Sequence, residues 1–140
     1  MITDKMQEIF KIVYGYLNDE SKYKPLVTKK APLQSTTFPV VEVRGLELPL
    51  TSTTRKEEES NRLTVTINIY AIEKNVGGKK VSSLQVAEEL AFLVDKVMNE
   101  LNFTMTTNEE VENADKNVYR RFMRYTAGVS KGTNKIIRRN

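Results

Sequence analysis

Residues 62–101 constrain the fold more than any other stretch of this chain, because a strand pattern, a turn and a helix pattern follow one another without interruption. From Leu63 the apolar residues occupy every second position: Leu63, Val65, Ile67, Ile69 and Ala71, with Thr64, Thr66, Asn68 and Tyr70 between them. Alternation of that length means a strand with one buried and one wetter face. Asn75, Val76, Gly77 and Gly78 then break the chain. Ser82 and Gln85 have capping-box spacing, and the period changes to that of a helix. Leu84, Ala87, Leu90, Ala91, Val94, Val97, Met98 and Leu101 share one stripe of it. No catalytic group interrupts this stretch, which directs attention to assembly or binding.

The flanking sequence supplies the other layers. A helix is expected over Asp4 to Leu17, with Met6, Ile9, Phe10, Val13 and Leu17 as its apolar stripe and Asp4 and Gln7 as a capping pair. Pro25 to Thr37 reads as a loop with a short strand at Leu26 to Thr28. Phe38 to Leu50 reads as a strand bounded by Pro39 and Pro49, with Gly45 as a bulge or turn. Thr51 to Asn61 contains no apolar residue and reads as the tip of a long hairpin joining that strand to the next. After the second helix, Asn102 to Thr107 reads as a short strand and Asn108 to Asn117 as an acidic loop. Val118 to Val129 alternates as a strand, with arginine on both faces, so at least one face is not an ordinary dry core. Lys135 to Arg139 is a last short strand or an extended tail. The expected architecture is an α+β two-layer sandwich: a mostly antiparallel sheet with a long hairpin, covered on one face by two helices. Residues 1–140 are expected to form one domain, with 51–61 as hairpin loop and 130–140 as basic tail.

Composition removes several kinds of chemistry. The chain has no cysteine and no histidine, so disulfides, thiolates and imidazole bases and ligands are absent. No cofactor is expected. An enzyme would need a carboxylate pair or a pocketed lysine, and no spacing points to one. No membrane span is expected, nor a signal peptide, since Asp4, Gln7 and Glu8 interrupt an apolar N-terminal run. A cytoplasmic origin is the simplest compartment. The net charge of +4 conceals a split. Residues 116–140 hold eight bases (Lys116, Arg120, Arg121, Arg124, Lys131, Lys135, Arg138, Arg139) and no acid. Removing those eight from the 22 bases leaves 14 against 18 acids in the rest. An acidic body with a basic tail is a handle for an acidic partner, protein or nucleic acid.

Further motifs invite sharper readings, each with a plainer one beside it. Gly77-Gly78-Lys79-Lys80 lacks the spacing of a phosphate loop and reads as a tight turn. Consecutive Glu57, Glu58 and Glu59 point in different directions, unlike a metal cage, and read as solvated charge; Glu109, Glu110, Glu112 and Asp115 lack the calcium-loop pattern. Arg120, Arg121 and Arg124 interleave with Tyr119, Phe122 and Tyr125. That pattern fits a platform for single-stranded nucleic acid, a protein interface, or a sheet rim.

The run RLTVTINIYAIE, a glycine turn, SLQVAEELAFLVDKVMNEL, NFTMTT, a polar loop, VYRRFMRYTAGV and a closing KIIRR resembles the tail terminator (tail completion) proteins of long-tailed bacteriophages over about residues 38–139. The resemblance implies a small α+β sandwich that is not an enzyme. Its role would be a hexameric ring that caps the tail tube, stops its polymerisation and forms the head–tail joining surface at the neck. The implied partners are further copies of the chain, the tail tube protein, a head-completion protein and transient non-specific DNA in the channel. The implied location is the virion, after assembly in the host cytoplasm. Ring closure needs two different patches per subunit. The interface candidates are Arg55, Lys56, Glu57, Glu58 and Glu59 on the arm, Tyr119, Arg121, Arg124 and Tyr125 on the strand, and Lys131, Lys135, Arg138 and Arg139 on the tail. A head-closure or tail tube protein of similar fold is an alternative, as is a nucleic-acid-binding module using the basic C-terminal third.

Overall fold

The computed structural model describes residues 4–30, 38–49, 60–113, 115, 117–130 and 136. Helix α1 (Asp4–Glu20) is followed by strands β1 (Leu26–Thr28), β2 (Val40–Pro49) and β3 (Ser60–Ala71). A small hairpin of β4 (Lys74–Val76) and β5 (Lys79–Val81) leads into helix α2 (Ser83–Glu100), then β6 (Thr104–Val111) and β7 (Tyr119–Ser130). The main sheet has the order β1-β2-β3-β7-β6; β1 runs parallel to β2 and the other neighbours are antiparallel. The α+β architecture is the one expected: two helices over one face of a mostly antiparallel sheet. The arm tip at 51–59 and most of the basic tail lie outside the described residues; of the tail, Ser130 ends β7 and Ile136 is half-buried against the core.

β3 is the centre of the sheet, and its odd-numbered face forms the floor of the core. Leu63, Val65, Ile67, Ile69 and Ala71 are all fully buried. The leucine, valine and isoleucine side chains among them each contribute about 1.5–3 kcal/mol by leaving water. The neighbouring strands are in a register that continues this face: Val41 opposite Ile69, Val43 opposite Ile67, Met123 opposite Ile67 and Tyr125 opposite Val65. Helix α1 covers it with Met6, Ile9, Val13 and Leu17, and α2 with Val86, Ala87, Leu90, Ala91, Val94, Val97 and Met98. Leu84, expected on that stripe, is instead exposed at its margin, and Val86 is buried.

Local signals set the ends of α2. Ser82 has extended backbone, and its Oγ accepts the Gln85 N–H at 3.2 Å. At the other end the Phe103 N–H reaches the Met98 carbonyl and the Asn102 N–H reaches that of Asn99, both at 3.0 Å. Asn102 has φ of 68°, and Phe103 and Met98 are buried together in the core. This is a Schellman cap with its hydrophobic contact. Asn102 and Phe103 therefore end the helix rather than start a strand. Gly77 (φ 57°) and Gly78 (φ 81°) form the two-residue turn of the β4-β5 hairpin, which favours glycine at both positions.

Two expectations change. β6 continues to Val111, well into the stretch read as an acidic loop. It is an edge strand, where exposed charge is usual, so its polarity hides it from a pattern built on burial. Glu110 lies opposite Arg121, which favours the pairing. Gly45 is neither bulge nor turn: β2 pairs with β3 in unbroken register through it. It leaves room for α1, since a Cβ at this position would stand 2.1 Å from the Met6 sulfur. Gly45→Val is therefore expected to cost about 1–3 kcal/mol in urea unfolding. The loss should shrink in a Met6→Ala background, a non-additivity that a double-mutant cycle measures.

Candidate functional site

The alternation of β7 sends its basic and aromatic residues to two different places. Tyr119, Arg121, Met123 and Tyr125 lie on the helix-covered face, in register with the odd residues of β3. Arg120, Phe122 and Arg124 lie on the opposite face, in register with Tyr70, Asn68 and Thr66. The expected interface strand is thus two half-sites with a sheet between them.

On the covered side Tyr125 is a core residue, which corrects its reading as a surface contact. It is 1% exposed, and its hydroxyl donates to Asp95 Oδ1 of α2 at 3.0 Å. Burial, then the bond to Asp95 and that carboxylate's charge, push its pKa far up. Arg121, on the same face four residues earlier, is half-buried. Its guanidinium donates to Asn108 Oδ1 at 2.7 Å and to the Tyr119 hydroxyl at 2.9 Å, and lies over the Tyr119 ring. Its Nε is buried with no hydrogen-bond partner among the described residues. Tyr119 and Arg121 therefore brace the rim of the sheet against each other. Of the four strand residues expected at an interface, only Arg124 is exposed.

The side away from the helices carries the surface that the sequence reading missed. Arg44 and Arg62 are exposed there beside Arg124, and Leu46 is 55% exposed. Arg124 lies over the Phe122 ring at 5.3 Å and Arg120 over the Tyr70 ring at 5.4 Å. Arg120 is held in place by Nε and Nη2 bonds to Asn68 Oδ1, at 3.1 and 3.0 Å. Asn68 in turn donates to Glu42 Oε1 at 3.0 Å. Glu42 and Asn68 are nearly buried, so this chain fixes the Asn68 amide and with it the arginine. The Tyr70 pKa is raised by burial, with the Arg120 charge opposing. Four guanidiniums on one sheet face face two acids, Glu42 and Glu109. Glu109 and Glu110 are neighbours on β6 and point to opposite faces, so they do not form one site.

The outer face of α2 has the opposite character. Phe92 is 69% exposed, and Glu88 and Leu84 lie on the same side one and two turns earlier. Phe92 forms a ridge between two depressions. One, of ≈ 400 Å³, runs along the end of α1 past Lys22, Tyr23, Gln85, Glu88 and Glu89. The other, of ≈ 270 Å³, lies between α2 and β6 and includes Asp95, Met105 and Asn108. The Tyr23 hydroxyl donates to Glu89, and Lys22 lies 3.4 Å from the same carboxylate. Burial first, then Glu89, pushes the Tyr23 pKa up to about 12. Among the described residues, no helix is long and apolar enough to cross a membrane.

One solved structure, "Virion of native gene transfer agent (GTA) particle", contains a chain similar to this one in fold. The TM-score is 0.61 at 12% identity, over 91% of this chain and 99% of that one. No family model matches the sequence. No curated protein matches it either.

Tyr23 and Tyr125, the tyrosines raised furthest, set an alkaline limit on stability. An unfolded tyrosine ionises near pH 10, while Tyr23 and Tyr125 stay protonated above it when folded. Their contribution is complete below about pH 10 and is lost as pH rises beyond it, for Tyr125 by up to about 1.4 kcal/mol per pH unit. Thermal unfolding from pH 8 to 11.5 should show this decline, and Tyr125→Phe should flatten it. The same variant should lose about 1 kcal/mol at neutral pH with its hydrogen bond.

Proposed function

We propose that this chain is a structural subunit of a phage-like virion, and within it the tail terminator: a ring at the neck that caps the tail tube and presents the head-joining surface. The observation that carries the reading is the fold likeness, which spans nearly the whole of a chain found in a virion particle. The element order and the segments resembling tail terminators narrow it to the neck. The chemistry agrees, because the layered unit carries a cationic sheet face on one side and an acidic, aromatic helix on the other. Two unlike patches on one subunit are what ring closure demands. The subunit acts by binding rather than by catalysis. Its partners are further copies of the chain, most simply six to a ring, the tube protein and a head-completion protein, and its location is the mature virion.

The residues proposed for these contacts include Arg124 on the sheet. The arm residues Arg55 to Glu59 and the tail residues Lys131, Lys135, Arg138 and Arg139 are proposed from sequence alone. Binding of DNA through stacked bases is the weaker reading. Phe122 and Tyr70 each already carry a guanidinium over the ring, which occupies the surface a base would use.

Incubating the purified chain with tail tubes and imaging labelled protein tests the proposal. Density confined to one tube end, with loss of further tube growth, is the expected result. A monomer that ignores tube ends and binds DNA with a steep salt slope would overturn it. Charge reversal at Arg138 and Arg139 should weaken end capture; unchanged capture removes the tail from the contact.

A further inference from the structure

We infer that the Phe92 ridge of α2 on one copy docks against the Arg44–Arg124 face of the sheet on the next copy. This deepens the ring reading above and rests on it. Among the described residues, two exposed surfaces of a single chain have no cover, and each has what the other needs. Phe92 is 69% exposed, with Leu84 also exposed and with Glu88, Glu89 and Asp95 around the two depressions beside it. Lys96, one residue beyond Asp95, is the one base exposed on this part of α2. The sheet face opposite the helices presents Arg44, Arg62 and Arg124, with Leu46 exposed among them and Phe122 half-buried next to Arg124.

A large aromatic ring flanked by depressions is the usual shape of an interface anchor. Its ring face accepts a guanidinium, and Glu88 beside it pairs with a neighbouring one, whereas Glu89 already holds Lys22 and the Tyr23 hydroxyl and Asp95 the Tyr125 hydroxyl. A second copy of this chain supplies three exposed arginines with Leu46 between them and the Phe122 ring under the Arg124 guanidinium. A two-fold dimer through either patch would place like charges against like, Glu88 near Glu88 or Arg124 near Arg124, which disfavours it. The two patches lie on opposite layers of the sandwich, α2 and the far side of the sheet. Pairing them is therefore head-to-tail, the contact type that closes into a ring when the rotation per copy allows.

The residues chosen to test this are exposed and have no role in the core. Glu88→Arg reverses the helix patch, and Arg44→Glu with Arg124→Glu reverses the sheet patch. Sedimentation at low salt, over concentrations up to about 1 mM, should show self-association of the wild-type chain. Either reversal should weaken it by roughly tenfold or more, with thermal unfolding unchanged as the folding control. An equimolar mixture of the two variants should recover assembly, because each reversed patch then meets its complement on the other chain. Mass spectrometry of the recovered species should find the two chains in equal number. All three reversals in one chain should restore self-association as well. A wild-type chain that stays monomeric, reversals without effect, or a mixture that fails to recover would each overturn the docking. Tube-end capture by the wild-type chain, measured separately, tells such a failure from failure of the terminator reading itself.

Discussion

Leu63, Val65, Ile67, Ile69 and Ala71 are completely shielded from solvent, and the placement of the other layers follows from covering them. A strand exposes two faces, and burying one of them on both flanks and above requires neighbours in matching register. β2 and β7 provide the flanks, with Val41, Val43, Met123 and Tyr125 extending the same apolar floor. The two helices provide the lid. A slip of β7 by one residue would carry Met123 and Tyr125 to the wet face and bring Arg120, Phe122 and Arg124 under the helices. The cost of burying two guanidiniums without ion partners fixes the register.

That single choice creates the charge asymmetry of the two faces. With the odd residues of β7 inside, its arginines at 120 and 124 must point away from the helices, where Arg44 and Arg62 already lie. The far face thus becomes cationic through the same pairing that builds the core. The helix layer acquires the opposite sign because α2 spends its apolar residues on the sheet and leaves Glu88 and Glu89 on its outer side. A subunit with unlike opposite faces associates head-to-tail more readily than with itself face to face.

The polar groups inside the sheet show how this surface is kept stiff. Glu42 and Asn68 are nearly buried on the face away from the helices, and a linear set of hydrogen bonds joins Glu42, Asn68 and Arg120. A buried amide left unpaired would be costly, so the arrangement has one satisfied orientation. Tyr125 does the equivalent inside, where its hydroxyl on Asp95 ties β7 to α2. Aromatic residues on β7 are therefore structural on one face and surface-forming on the other.

Much of this was legible in the chain. The alternation at Leu63 to Ala71, the Ser82 cap and the stripe from Ala87 to Met98 are local patterns, and periodicity and capping chemistry are enough to read them. The extent of β6 was not, because an edge strand such as Thr104 to Val111 carries no burial pattern to detect. Nor was the division of Tyr119, Arg121 and Tyr125 from Arg120, Phe122 and Arg124. Either face of that strand has arginine and aromatic residues, and sequence alone does not say which is covered. The sequence determined which elements form and that one strand must be mixed; only the tertiary pairing of Met123 with Ile67 decided which of its faces meets the outside. The reason is physical: register is a long-range contact, set by the total cost of what each alternative would bury.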